Sequence, residues 1–203
     1  MEWRADMSSH NVLIAISTLS FALMGSAHGD GRTARQMRTM VKAVGLDGKP
    51  HLLPLRDARA TLLIFILHDC PVCNRYAPEI ARIESDYRSK GVDTYVVYEE
   101  RDLTPAQGMA HAKSYGLTCG LLYDPAHSLA HEAGAVSTPE AVVLSPDRTV
   151  IYHGRIDDRF QHFGMANPAP SHRDLRAALD SFLAGNSVAV AETPVVGCAI
   201  SND

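Results

Sequence analysis

A strongly apolar run at residues 61–67 reads Thr-Leu-Leu-Ile-Phe-Ile-Leu. Its length and side chains predict a strand buried on both faces, as in the centre of a helix-covered sheet. From Cys73 to Tyr87, apolar residues recur at helical spacing, which predicts an amphipathic helix that Gly91 ends. A second strand is predicted at residues 92–98. Residues 61–98 therefore indicate a β-α-β unit, in which the two strands are parallel.

The remaining pattern predicts an α/β domain with further strands and helices. We expect strands at residues 40–44, 121–123, 141–144 and 150–153, and helices at residues 104–115, 126–133 and 173–183. The segment from Ser145 to Arg148 has the composition of a β-hairpin turn. Residues 161–171 are irregular, and residues 186–203 show no clear periodicity.

The N-terminal segment predicts export. Residues 12–24 are apolar but short for a membrane span, and they end in the small residues 25–27. We interpret residues 1–27 as a signal peptide cleaved near Ala27, and an uncleaved anchor is the alternative. A polar leader (28–37), one domain (38–185) and a C-terminal tail (186–203) follow. The expected location is the periplasm or outside the cell.

Composition narrows the classes of function. The chain has 203 residues, of which 46% are hydrophobic and 21% are charged, and this suits a single globular domain. The net charge of −4 comes without any block of Lys or Arg. We therefore expect no binding to nucleic acid, and membrane contact only through an uncleaved N-terminal segment.

The motif Cys70-Pro-Val-Cys73 carries the predicted chemistry, because it lies between a strand and a helix. A helix N-terminus favours negative charge, so the pKa of the Cys70 thiol should be lowered there. The thiolate of Cys70 would attack a disulfide, and Cys73, one helical turn later, would resolve the mixed disulfide. The alternatives are a structural disulfide or half of a zinc site, although the chain has no second Cys-x-x-Cys or His-x-x-His pair.

These features resemble the thioredoxin-like superfamily, specifically its redoxin group of alkyl hydroperoxide reductase/thiol-specific antioxidant and TlpA-like proteins. The matches are the strand before the Cys pair, the helix at residues 104–115 and the segment 136–144. The resemblance implies a thioredoxin-like fold, with a central mixed β-sheet flanked by helices and an extra helix inserted between strands. It also implies that Pro139 is cis and that the Thr138 backbone pairs with an extended substrate.

The peroxidatic motif of this group, Pro-x-x-x-Thr-x-x-Cys, is not matched. If Cys73 takes the peroxidatic position, Ile66 stands where Pro is expected and Cys70 where Thr is expected. This departure favours disulfide exchange over peroxidase activity.

Proton handling should also differ from that of thioredoxins. Their buried acid corresponds to Ile64 here, and the Trp that usually precedes the Cys pair corresponds to Asp69. His68 and Asp69 are the nearest candidates for proton handling, and the alternative for each is solvent exposure or strand-end packing. A protonated His68 would favour the Cys70 thiolate, whereas the Asp69 carboxylate would oppose it.

The other two cysteines, Cys119 and Cys198, have several interpretations. Each is a free buried thiol, or the two form a second disulfide that ties the tail to the domain, or Cys198 exchanges with the active pair. Sequence alone does not decide disulfide connectivity.

Metal binding gives the rival functions. His127 and His131 lie four residues apart, but without the Glu of a zincin motif a solvated helix face is the preferred interpretation. His68 could join Cys70 and Cys73 around Cu(I), although thioredoxin-fold copper chaperones space their cysteines Cys-x-x-x-Cys. We expect no bound metal and no cofactor.

The sequence therefore predicts an exported thiol-disulfide oxidoreductase that acts on protein thiols and disulfides with an unidentified redox partner. The alternatives are a copper-binding chaperone, a thiol-dependent peroxidase and a non-catalytic module. The sequence leaves open whether the protein reduces or oxidises its partner.

Overall fold

A computed structural model describes Met1 and residues 35–162 and 165–200. The predicted signal peptide, most of the polar leader and residues 201–203 of the tail lie outside the described residues. Within the described part, no helix combines the length and the apolar character that a membrane span requires.

The strands are β1 (Val41–Gly45), β2 (Pro50–Leu53), β3 (Ala60–Ile66), β4 (Val92–Tyr98), β5 (Gly120–Tyr123), β6 (Ser137–Thr138), β7 (Glu140–Leu144), β8 (Val150–Gly154), β9 (Phe160–His162), β10 (Met165–Ala166) and β11 (Cys198–Ala199). The helices are α1 (Pro71–Arg88), α2 (Pro105–Tyr115), α3 (Ser128–Ala133) and α4 (Asp174–Leu183).

The main sheet has seven strands in the order β2-β1-β5-β4-β3-β7-β8. Strands β3 and β4 are parallel, with Ala60 opposite Val92, and this confirms the predicted β-α-β unit. Strand β7 pairs antiparallel with both β3 and β8, so the sheet is mixed. Helix α2 lies in the chain between the parallel strands β4 and β5, as expected for the inserted helix.

The side chains of β3 alternate between the two faces of the sheet, since successive residues of a strand point to opposite sides. Leu62 and Ile64 belong to the larger buried cluster, which also holds the apolar residues of α1 and α4. Leu63 and Phe65 belong to the second cluster, with the apolar residues of α3. Every residue of β3 is buried, which confirms the strand predicted from the apolar run.

Besides β6, four further short strands were not predicted from sequence. Strand β2 follows β1 closely in the chain and pairs with it, while β9 and β10 pair with each other at the start of the stretch that we expected to be irregular. Strand β11 lies in the tail and pairs antiparallel with β6. These strands have two to four residues each, too few for a periodic pattern to identify them.

Upstream of β11, the tail also covers the free edge of β8. The backbone N–H of His153 donates to the carbonyl of Ala191 at 2.9 Å, and Thr193 donates back to the carbonyl of His153 at 3.2 Å. The tail is therefore bound along the domain from the edge of the main sheet to the loop before β7.

Candidate active site

The Cys pair opens helix α1 at the end of β3. Cys70 is the N-cap residue and has an extended backbone, and Pro71 follows in the first turn, where no amide hydrogen is needed. The N–H of Asn74 donates to the carbonyl of Cys70 at 3.0 Å and forms the first helical hydrogen bond. Cys70 and Cys73 are 3% and 2% exposed, so both thiols are shielded from water.

The pKa values of the two thiols are shifted in opposite directions. A hydrogen bond from the Cys73 thiol is the largest cause that lowers the pKa of Cys70 to about 5, and the backbone N–H groups of Cys73 and Val72 also contribute. Burial opposes this shift. Burial is the largest cause that raises the pKa of Cys73, followed by its hydrogen bond to Cys70. At neutral pH, Cys70 is thus a thiolate and Cys73 holds its proton.

This arrangement refines the electrostatic argument from sequence. The amides of Val72 and Cys73 at the start of α1 lower the pKa of Cys70, but the Cys73 thiol contributes more than either amide does. The resolving cysteine is therefore also the main donor to the nucleophile. A thiolate accepts stronger hydrogen bonds than a neutral thiol, which explains why this contact outweighs the cost of burial.

The loop that faces the Cys pair contains Thr138 and Pro139. The peptide bond between them is cis, as the resemblance implies. Thr138 is fully buried, and a hydrogen bond with its side chain lowers the pKa of Cys73, which places the two side chains in contact. The loop therefore lies directly against the thiols.

The tail brings Cys198 into this site. Cys198 is paired with Thr138 across β11 and β6, and its Sγ lies 3.6 Å from the Sγ of Cys70. The backbone of Thr138 is thus occupied by the chain's own tail, at the place where the resemblance implies an extended substrate.

The disulfide between Cys119 and Cys198, one of the three interpretations left open by the sequence, is not formed. All four thiols are free, and Cys198 lies against Cys70 instead. Cys119 precedes β5 and packs against the main core, where burial raises its pKa to about 11. Long-range packing of the tail decides this arrangement, and the spacing of the cysteines carries no signal for it.

His68 and Asp69 lie beside the site, and their part in proton handling stays a prediction. The Nδ1 atom of His68 lies 2.7 Å from Oε1 of Glu100, and its backbone N–H donates to the same oxygen. Asp69 is exposed, and its charge adds to the effects of burial and of the Cys70 contact, which raise the pKa of Cys198 more. Neither residue is among the principal causes of the Cys70 shift, which arises from closer hydrogen bonds.

Sequence reasoning missed a polar chain that runs from His68 into α2. The side chain of Asn74 donates to the carbonyl of His68 at 3.1 Å and lies 2.8 Å from Nε2 of His111. The other ring nitrogen of His111 lies 2.9 Å from the hydroxyl of Tyr98. Burial lowers the pKa of His111, so its ring is neutral at pH 7. The chain ties the start of α1 to the inserted helix.

A second missed residue is Glu140, which directly follows Pro139. It is fully buried, and its Oε2 accepts hydrogen bonds from the backbone N–H groups of Val136 and Ser137 at 2.9 and 3.0 Å. Its Oε1 lies 3.0 Å from Nδ1 of His153. The position of this acid directly after the Thr-Pro pair was the sequence signal that could have identified it. Glu140 holds the loop that carries β6.

The arrangement of metal-binding side chains does not match the copper alternative. Among the described residues, the one group whose ligand atoms lie within 4.8 Å of one another is His68, Asp69 and Glu100. His68 is therefore placed with carboxylates rather than with the Cys pair, and carboxylates are poor ligands for Cu(I). His127 lies 2.7 Å from Glu99 through Nδ1, so this nitrogen is already engaged.

Comparisons with known proteins agree with this fold. A family model described as Redoxin matches residues 32–163. No curated protein matches the chain. The structure of a hypothetical protein from Sinorhizobium meliloti 1021 is 26% identical, with a TM-score of 0.73, and the match covers 84% of this chain and 95% of that one.

Two further solved structures are similar. An uncharacterized conserved protein from Geobacillus kaustophilus is 26% identical, with a TM-score of 0.72 and coverage of 83% of this chain and 90% of that one. A secreted Mycobacterium tuberculosis disulfide oxidoreductase homologous to E. coli DsbE is 16% identical, with a TM-score of 0.50 and coverage of 72% and 96%.

The fold, the cis proline and the family match support one another. The mixed sheet with its inserted helix is the architecture that the resemblance implied, and the family model spans more than half of the chain. The chain belongs to the redoxin family of thioredoxin-like proteins.

Proposed function

We propose that this protein is an exported thiol-disulfide oxidoreductase in which Cys70 attacks and Cys73 resolves. The observation that carries the proposal is the opposite shift of the two thiol pKa values at the start of α1. An attacking thiol must be a thiolate at working pH, and a resolving thiol must wait in its protonated form. The contact between the two thiols meets both requirements.

In the reducing direction, the Cys70 thiolate attacks one sulfur of a substrate disulfide. A mixed disulfide forms at Cys70, and the first substrate sulfur leaves as a thiolate that takes up a proton. Cys73 then loses its proton and attacks the Cys70 sulfur, which releases the second substrate sulfur. Two electrons pass to the substrate, and a Cys70–Cys73 disulfide remains for an unidentified redox partner to reduce. The reverse sequence oxidises a pair of protein thiols.

The proposed substrates are extended segments of other proteins. Strand β6 lies beside the cis-Pro139 loop and pairs with the tail, and an extended substrate would take the place of the tail as the strand added to β6. Because only backbone groups are paired in this mode, it supports exchange with protein partners of varied sequence.

The alternatives are less well supported by the same geometry. Ile66 is a buried strand residue, and Cys70 takes the position of the peroxidatic Thr, so the groups that a peroxide pocket needs are missing. The proposed export rests on the apolar N-terminal segment and on the likeness to a secreted disulfide oxidoreductase. No cofactor enters the proposed reaction, because the two sulfurs carry the electrons.

The test is the reduction of insulin disulfides in the presence of dithiothreitol. We expect the wild-type protein to accelerate the reaction and Cys70→Ser to abolish the acceleration, because no second thiolate is available at neutral pH. Cys119→Ser is the matched control, since Cys119 packs against the core outside the site, and it should keep the wild-type rate. The double variant Cys73→Ser/Cys198→Ser, mixed with insulin without dithiothreitol, should accumulate insulin chains bound to Cys70, because no second thiol at the site resolves the mixed disulfide. A Cys70→Ser variant that still accelerates the reaction would contradict the proposal.

A further inference from the structure

The C-terminal tail has two anchors, one on each side of Cys198. The first is Thr193, which is 7% exposed. Its hydroxyl lies 2.7 Å from the hydroxyl of Tyr152 and accepts the backbone N–H of Arg155 at 3.0 Å. The second anchor is Ile200, which is also 7% exposed and packs in the second core cluster. The segment between the anchors is therefore held at both ends.

Between the anchors, the tail lies unusually close to the cis-Pro loop at Gly197. A Cβ atom on Gly197 would lie 1.9 Å from the carbonyl oxygen of Thr138, a distance that no side chain tolerates. Only glycine permits this approach, because it has no Cβ. Gly197 therefore allows the tail to pack directly against the backbone of Thr138.

Cys198 itself is fixed by both its backbone and its side chain. Its carbonyl accepts hydrogen bonds from the hydroxyls of Ser137 at 3.1 Å and Thr138 at 3.4 Å. The strand pairing places its side chain over the active site, where its sulfur is in contact with that of Cys70 at 3.6 Å. A disulfide needs a sulfur–sulfur distance of about 2.05 Å, so a small movement of either side chain suffices.

We propose that Cys198 is a third redox-active cysteine and that the strand around it is an internal substrate of the Cys70–Cys73 pair. The proposal rests on the proposed function, because Cys70 must be an exchanging thiol. The inference is supported independently by the position of the tail. The tail presents Cys198 to Cys70 as an extended strand, and it pairs with the same strand that an outside substrate would use.

The step is a disulfide exchange that conserves atoms and electrons. In the oxidised protein, the Cys198 thiol loses its proton and its sulfur attacks the Cys70 sulfur of the Cys70–Cys73 disulfide. The bond between Cys70 and Cys198 forms, the bond between Cys70 and Cys73 breaks, and Cys73 takes up the proton. One disulfide is present before and after, so no oxidant or reductant is consumed.

The internal substrate would compete with outside substrates. A tethered group acts at an effective concentration of millimolar order, well above the micromolar concentration of a typical protein substrate. Cys198→Ser should therefore raise the rate at which the oxidised protein oxidises a dithiol peptide at micromolar concentration by about tenfold, because the Cys198 thiol no longer forms a bond with Cys70.

The direct test uses the full chain with Cys73→Ser, so that Cys70 and Cys198 are the thiols left at the site. The protein is treated with oxidised glutathione at about 0.1 mM, below the effective concentration of the tail. Glutathione first attaches to Cys70, and Cys198 then displaces it as reduced glutathione. We expect peptide mass spectrometry to find Cys70 bound to Cys198 within the same chain.

A matched pair of tail variants tests whether the Cys70–Cys198 disulfide depends on the fixed position of the tail on the cis-Pro loop. In the Cys73→Ser background, Gly197→Val should lower the yield of the Cys70–Cys198 disulfide by at least about tenfold, because the new side chain collides with Thr138 and the thiol loses its fixed position. Ala199→Val changes an exposed residue of the same strand and should leave the yield unchanged. Thermal unfolding of both variants shows that the domain itself is folded.

Failure of this inference is distinct from failure of the proposed function. If glutathione stays on Cys70 while Cys198 remains a free thiol, the third cysteine does not exchange and the inference is wrong. The double variant Cys73→Ser/Cys198→Ser reports on the function alone: it should hold glutathione on Cys70. If that variant is not modified, Cys70 is unreactive and both proposals fail.

Discussion

The thiolate absorbance of the reduced protein is expected to appear in a transition centred near pH 5, because the pKa of Cys70 is lowered to about 5. The other three thiols have raised pKa values and contribute nothing in this range. The ultraviolet absorbance of the reduced protein, titrated from neutral pH downward, measures the transition. Cys70→Ser should lose it. A midpoint near pH 9 would contradict the electrostatic description of the site.

The sign of the effect on stability follows from the same shift. The ordinary thiol pKa is 9.0 and the native value is about 5, so the native state binds the Cys70 proton less tightly than the unfolded chain does. The contribution of Cys70 to stability is then complete above pH 9 and is lost as the pH falls toward 5. The same stabilisation of the thiolate favours the reduced form, so it makes the Cys70–Cys73 disulfide a stronger oxidant.

Removal of the Cys73 thiol tests which donor matters most. A hydrogen bond to a charged group contributes about 1.5–3 kcal/mol, which corresponds to about one to two pH units. Cys73→Ala should therefore raise the midpoint of the Cys70 transition by about that amount. Cys73→Ser keeps a donor and should raise it less. If Cys73→Ala leaves the midpoint unchanged, the helix amides alone stabilise the thiolate.

The largest effect on folding is expected for Glu140→Ala. The substitution removes the buried carboxylate that accepts the partly buried N–H groups of Val136 and Ser137 and that faces His153. Hydrogen bonds to a charged group contribute about 1.5–3 kcal/mol each, so the free energy of unfolding should fall by about 2–5 kcal/mol. Chemical denaturation monitored by circular dichroism measures the loss.

The control for this prediction is Asp93→Ala, which removes an exposed acid from β4 and should change the free energy of unfolding by no more than about 0.5 kcal/mol. Glu140→Ala should also slow insulin reduction, because Glu140 holds the loop that positions Thr138 and Pro139. A variant as stable as Asp93→Ala would show that the loop does not depend on the buried carboxylate.

Much of the fold was predictable because its main elements carry strong local patterns. The apolar run of β3 and the helical spacing of α1 are properties of short stretches of chain, and their succession implied the parallel pairing with β4. The Cys pair was predictable for the same reason, since the motif and the helix start are adjacent. The cis-Pro loop came from the resemblance rather than from any local pattern.

The rest of the site depends on contacts between distant parts of the chain. Ser137 and Cys198 are 61 residues apart in the chain, and the strand that brings Cys198 to β6 has only two residues. So short a strand has no periodic pattern from which it could be predicted. The partner of His68 is Glu100, 32 residues away, and its place follows only once β3 and β4 are aligned. Sequence reasoning identified each of the four cysteines, but it did not predict that the sulfur of Cys198 lies in contact with that of Cys70.

Because the tail is paired with β6, any protein that binds there must bind more favourably than the tail does. An incoming strand must displace β11. The protein then loses the contacts of the tail, and the incoming strand loses the water that was bound to it. The measured affinity of a partner would therefore be the difference between two strands of similar geometry, not the full strength of one. A segment that merely matches the tail gains nothing by replacing it, so selectivity arises from whatever a partner adds beyond the backbone pairing.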